Sequence, residues 1–208
     1  MSIFIGGENN IPKVSENYRD KRKVIIIESA TKVLSKKGFT KTTMKNVMEE
    51  AKISRGSLYA HFNNIEELFL EALMYDDILN EHSLIKLENE ELSPEKFTNW
   101  IVNLFNLLDT PGRNLTRAKS EFFLLYSKNQ VPYLEDRKER LEEILFSYIS
   151  EGTNNKVFRS DVDINSYIDI FITSIDGLML SLSSRLENKN KITKKINILA
   201  DMLVNYII

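Results

Sequence analysis

Apolar residues recur every three or four positions along most of this chain, the period of amphipathic helices. Ile26, Ala30, Val33 and Leu34 mark one face of a helix that opens at Arg19 or Asp20 and runs to Lys37, with Gly38 as its expected left-handed C-cap. Thr43 caps a short helix, Met44–Ala51, with Val47 and Met48 opposite Lys45, Glu49 and Glu50. After Lys52-Ile53, Ser54 caps a second short helix, Arg55–Phe62. Asn64 caps a long helix to about Lys86, with Glu67 completing a capping-box-like start and Leu68, Ala72, Tyr75 and Leu79 as its buried stripe. An acidic linker follows at 88–91. Ser93-Pro94-Glu95 then opens a helix to about Leu108 with Trp100, Leu104, Phe105 and Leu108 on one face. Thr110-Pro111-Gly112, Asn129–Pro132 and Gly152–Arg159 break the pattern between Leu115–Ser127, Tyr133–Ser150, Ile164–Leu186 and Thr193–Tyr206. The pattern predicts an all-α protein of about nine helices and no strand.

Two helices of about two turns, joined by a turn of three to four residues, make a helix-turn-helix. The second carries Arg55, Ser57, Tyr59 and His61. A guanidinium fork, a hydroxyl, a phenol and an imidazole in eight residues suit phosphates and base edges in a major groove. Gly56 costs a helix about 1 kcal/mol relative to Ala. A helix that must approach a DNA backbone gains from the missing side chain, and a core helix does not. The plainer alternative is a helical hairpin that only packs in a core.

Gly38-Phe39-x-x-Thr42-Thr43, the short helix ending in Ala51, Ile53-Ser54, Gly56, Leu58-Tyr59, His61-Phe62 and Glu66-Glu67-Leu68 resemble the DNA-binding domain of the tetracycline-repressor (TetR) family of bacterial transcription regulators. The resemblance covers about fifty residues. Two positions depart from it: Lys52, where the family usually has Gly, and Asn64-Ile65, where it commonly has Lys. The resemblance implies a three-helix DNA-binding head at 19–65, a helical ligand-binding and dimerisation body at 66–208, and a flexible arm at 1–18. The candidate DNA-contacting residues are Lys21, Arg22, Thr42, Thr43, Lys45, Ser54, Arg55, Gly56, Ser57, Tyr59, His61 and Asn64.

Composition sharpens this picture. The net charge of −2 over 208 residues does not suit a general nucleic-acid binder. Its distribution does suit a regulator: residues 1–62 hold 12 Lys+Arg and 6 Asp+Glu, leaving 16 and 24 for the rest. A basic head on an acidic body places one end on DNA. Arg19, Lys21, Arg22 and Lys23 crowd a helix N-terminus, where positive charge opposes the dipole, which points to an external anion. The chain has no Cys, no basic n-region before an apolar run and no stretch near the ~20 apolar residues of a membrane span. These features fit the cytoplasm. His61 and His82 are the only histidines, and no zinc-protease motif, P-loop or dinucleotide fingerprint occurs. No catalytic set, metal site or cofactor is expected.

The body is rich in aromatics. Trp100, Phe105, Phe123, Tyr126, Tyr148 and Phe171 fit an ordinary core, and they equally fit the walls of a pocket between helices. The resemblance implies a small-molecule inducer there, largely apolar or aromatic. Glu121, Asp169 and Asp176 are candidates to face a cationic ligand, or caps and solvated positions. Ser174, Gly177, Ser181 and Ser184 form a stripe of small residues that, with Leu199 and Leu203, suits either a dimer interface or close packing within one subunit. The whole predicts a homodimeric regulator released by a ligand from a palindromic operator. Its rival is a helical small-molecule-binding or catalytic body with a vestigial head.

Overall fold

The computed structural model describes residues 21–88, 92–109, 115–127, 130–183 and 189–208, the side chains of 80–88 and 189 excepted. The N-terminal arm, the expected helix start at Arg19 or Asp20, the break at 110–112, the His82 side chain and Ser184 lie outside what is described. The described residues form nine helices and no strand: α1 (Lys21–Lys37), α2 (Met44–Ala51), α3 (Arg55–Tyr59), α4 (Ile65–Glu88), α5 (Pro94–Leu107), α6 (Thr116–Leu125), α7 (Pro132–Asn154), α8 (Ile164–Ser183) and α9 (Lys189–Ile207).

Local chemistry sets most of the boundaries. Gly38 ends α1 at φ +80, and the Thr43 hydroxyl accepts from the Asn46 amide to start α2. Ser93 caps α5 through the Lys96 amide, with Pro94 at the first position. Five expectations shift, the simplest being that α9 opens at Lys189 rather than Thr193. The recognition helix ends at Tyr59 rather than Phe62. The Leu58 carbonyl accepts both His61 and Phe62 amides, and the tightened turn drives Phe62 into the core at 1% exposure. On α4, Leu79 is 60% exposed, and Phe69, Leu73 and Asp76 share the buried face with Leu68 and Ala72. Helix α6 stops at Leu125, itself exposed. Helix α7 begins one residue early at Pro132 and continues to Asn154, and Gly152 within it leaves the Phe158 ring room against the helix.

Two apolar clusters result. The first unites Phe97, Trp100, Phe105, Tyr148 and Phe171 with Ile196 and Leu203, from α5, α7, α8 and α9. The second holds the head together around Ile27, Val47, Leu58 and Phe62, and it also takes in Leu115, Ala118 and Phe122. The head therefore shares its core with α6, and α6 in turn packs on α8.

Candidate nucleic-acid interface

The turn between α2 and α3 carries Lys52 in the left-handed region (φ 54, ψ 46), its amide bonded to the Met48 carbonyl. The chain thus makes the usual turn with a residue that favours it less than Gly. Ser54 caps α3 by accepting from the Ser57 amide at 3.3 Å. Leu58 is fully buried and pins α3 to the head. The opposite face is open. Arg55 is exposed, with its guanidinium 5.3 Å from the centre of the Tyr59 ring, and Tyr59 is 42% exposed. A side chain at Gly56 would meet nothing within 4 Å. The protein's own packing therefore does not require a glycine there.

The α1 start reaches the same helix. Arg22 donates to the Ser57 hydroxyl at 3.4 Å, and Lys21 is exposed. Lys23 turns inward, 3.0 Å from Glu71 and over the Phe62 ring. Part of the basic cluster is thus tied to the protein itself. Thr43 and Lys45 are exposed at the start of α2, and Asn64 caps α4 through the Glu67 amide at 2.7 Å. The Glu67 carboxylate reaches back one residue further than a capping box does, to the Asn63 backbone and side-chain amides. His61 is half-buried beside Phe62. Thr42 departs from expectation: it is 5% exposed, and its hydroxyl donates to the Gly38 carbonyl at 2.6 Å. That hydroxyl fixes the α1–α2 turn and does not face DNA.

The body grips the head through carboxylates, one of them Glu121, which the sequence offered as a ligand-facing or solvated acid. Glu121 on α6 accepts from the Thr40 amide and hydroxyl, both at 2.8 Å, and from Arg117 at 2.8 Å. A methyl on Gly38 would collide with the same carboxylate. Burial alone would raise the Glu121 pKa, but the Thr40 and Arg117 hydrogen bonds hold it below the usual range. Glu121 therefore faces the head and not a ligand. Deeper in, Lys119 bonds Asp76 at 2.6 Å, while Asp77 takes Arg137 at 2.8 Å and the Tyr133 hydroxyl at 3.0 Å. Here too burial works to raise the Asp77 pKa, and Arg137 and Lys119 outweigh it. This network ties α4 to α6 and α7.

The six aromatics proposed for a pocket divide between the two clusters. Trp100, Phe105, Tyr148 and Phe171 pack in the body, with Trp100 stacked on Phe171 at 5.8 Å. Phe123 and Tyr126 pack against the head-side cluster. None of the six lines the two surface grooves of about 430 and 440 Å³. The first groove runs between α7 and α8, past Glu142, Glu143, Phe146, Asn165, Ile168 and Asp169. The second lies on α9, between Lys191, Lys194, Lys195, Ile198, Leu199 and Met202. Of the residues expected at a dimer interface, Gly177 is exposed and Ser174, Ser181 and Leu199 are half-buried, whereas Leu203 is 4% exposed in its own subunit's core. The outward α8 stripe is Ile170, Thr173, Gly177 and Leu180, shifted around the helix from the predicted one because Tyr167, Ile168, Phe171 and Leu178 turn into the body core; Ser181 accepts from Lys195 at 2.8 Å.

The chain matches two family models, one described as bacterial regulatory proteins, tetR family, over residues 26–72, and one as tetracyclin repressor-like, C-terminal domain, over residues 96–193. The HTH-type transcriptional regulator YfiR of Bacillus subtilis is 26% identical over 170 residues, 81% of this chain and 83% of that one. The fold recurs in FadR from Bacillus subtilis, solved in complex with stearoyl-CoA, at a TM-score of 0.72 and 16% identity over 89% of this chain and 99% of that one. It recurs also in a cysteine mutant of the regulator CifR complexed with 26-bp operator DNA, at a TM-score of 0.68 and 15% identity over 89% and 96%.

Proposed function

The chain belongs to the tetracycline-repressor family of bacterial transcriptional regulators, and from that premise we propose that it is a homodimeric cytoplasmic repressor, released from a palindromic operator by a small apolar or aromatic ligand. Helix α3 carries the reading: it is capped by Ser54, anchored by Leu58 and presents Arg55 and Tyr59 outward on a rigid head. Residues at the start of a recognition helix lie nearest the base edges. Arg55 and Ser57 read bases, while Lys21, Arg22, Thr43, Lys45 and Tyr59 hold phosphates and set the register. His61 and Asn64 flank this surface. The protein acts by binding and not by catalysis.

The ligand belongs in the helical body, whose core is dense with aromatic rings. FadR of the same fold holds an acyl-CoA, which supports an apolar ligand here. A ligand that moves α6 acts on the head at Glu121, where Thr40 is held, and along α4 through the Lys119–Asp76 pair. Switching operator occupancy from nearly full to nearly empty takes a differential affinity of roughly 5 kcal/mol.

An electrophoretic shift with the DNA flanking the protein's own gene tests the reading. The wild type should retard one specific fragment. Arg55→Ala should relax selectivity at one symmetric operator position, at about 1–3 kcal/mol per subunit. Equal loss on specific and random DNA would make Arg55 a phosphate clamp only, and no retarded fragment at all would favour a vestigial head.

A further inference from the structure

Among the described residues, two amino acids other than glycine hold a positive φ, and both are lysines: Lys52 (φ 54) and Lys156 (φ 58). Each closes the last turn of a helix, Lys52 after α2 and Lys156 after α7. Glycine takes that conformation freely, and Asn or Asp offsets it with a local hydrogen bond; lysine does neither. A residue held there at a cost is a pointer to function where the surroundings offer one. The two lysines differ in those surroundings. Lys156 sits in the body, next to Val157 and Phe158 of its core. Lys52 sits in the helix-turn-helix connection, exposed, and is followed by exposed Ser54, Arg55 and Gly56. Ile53 packs on the head-side cluster, which anchors the turn and leaves the lysine on the outer face. Glu49 on α2 pairs with Lys45 at 3.9 Å. Among the described residues no carboxylate pairs with Lys52.

Reach decides what the free ammonium can touch. Lys52 stands three positions before Arg55, at most about 11 Å of chain. A major groove is about 12 Å wide, so a side chain reading bases along its middle has the phosphates of each strand about 6 Å to either side. A long side chain on the turn that leads into the groove therefore stands over one of its walls. A lysine ammonium is a compact charge on a flexible stem, which suits a phosphate better than the fixed geometry of a base edge. We propose that Lys52 is a DNA phosphate anchor, gripping the strand that flanks the groove entered by α3. This rests on the DNA binding of the proposed function and adds to it a contact made from the turn itself. The left-handed backbone aims the side chain outward, and the cost of holding it there is offset only when DNA is bound.

Replacing each lysine by glycine tests it, read by thermal melting and by salt titrations of two duplexes, the DNA flanking the protein's own gene and a scrambled one. Lys52→Gly and Lys156→Gly both relieve a left-handed lysine, so both should melt at or above the wild type. Only Lys52→Gly should change DNA binding. Losing one phosphate per subunit makes the slope of log binding constant against log salt shallower by about 2 for a dimer. The loss should be equal on the two duplexes, because phosphate contacts carry no sequence information. Lys52→Arg keeps the charge and should keep the wild-type slope. A Lys52→Gly protein with the wild-type slope, or one weakened on the flanking DNA alone, overturns the anchor while the regulator stands. So does a Lys52→Gly protein that melts below the wild type, because the side chain would then be repaid within the protein. A Lys156→Gly protein that loses the same slope overturns it too. A wild type with no salt-dependent binding to either duplex would instead overturn the proposed function.

Discussion

Two adjacent turns of backbone give the head its most informative residues. Lys52 holds a left-handed conformation that L-residues with a Cβ adopt at a cost of about 1–2 kcal/mol. Its exposed side chain makes no contact that repays this cost. Gly56 presents the reverse case, a glycine in ordinary helix with open space where a side chain would stand. Replacing it by Ala should stabilise the free protein by about 1 kcal/mol, because Ala loses less backbone entropy in a helix. If the open space is where the DNA backbone lies, Gly56→Ala should also weaken operator binding roughly tenfold. Thermal melting and fluorescence anisotropy measure the two effects side by side. A more stable variant with unchanged affinity would move the DNA away from this end of α3.

At the scale of elements, what the sequence made legible was whatever is settled within a few residues. The caps at Thr43, Ser54, Asn64 and Ser93 each bond an amide three positions on, and the predicted helix starts stand there. Tyr59 ends α3 early because Phe62 is drawn into a core assembled from distant helices, which no local signal announces. The Thr40–Glu121 bond spans 81 residues. Glu121 therefore looked like a solvated or ligand-facing acid, although it holds the α1–α2 turn. Aromatic content likewise could not separate core from pocket; in the folded chain Trp100 and Phe171 simply stack. Removing the Glu121 carboxylate leaves the Thr40 amide and Arg117 without their acceptor. Glu121→Ala should destabilise the protein by about 1–3 kcal/mol, with faster hydrogen exchange at 38–43 than in the wild type and little change in α9. Uniform acceleration in both regions would show that the carboxylate supports the fold as a whole and is no specific link between body and head.

Over the whole molecule, charge and architecture divide the labour. The first 62 positions hold an excess of basic residues, with a head whose recognition surface is exposed, and the acidic excess falls on the body. The body reaches the head by two routes, α6 against α1 and α4 against α6 and α7, so a change in its packing is felt where DNA would bind. The fold class and the recognition helix were legible from periodicity and spacing. The shared core of head and α6, and the position of the outward face of α8 and α9, depended on how the helices pack.

The central claim is that this surface binds DNA through phosphates and selects a sequence. Anisotropy titrations of the protein's own upstream DNA and of a scrambled duplex, across a series of salt concentrations, address it most directly. With roughly 4–6 phosphate contacts per subunit, the logarithm of the binding constant should fall against the logarithm of salt with a slope of about −7 to −11 for a dimer. The upstream DNA should bind more tightly than the scrambled duplex at every salt concentration. A slope near zero, or equal affinity for the two duplexes throughout, would contradict the account.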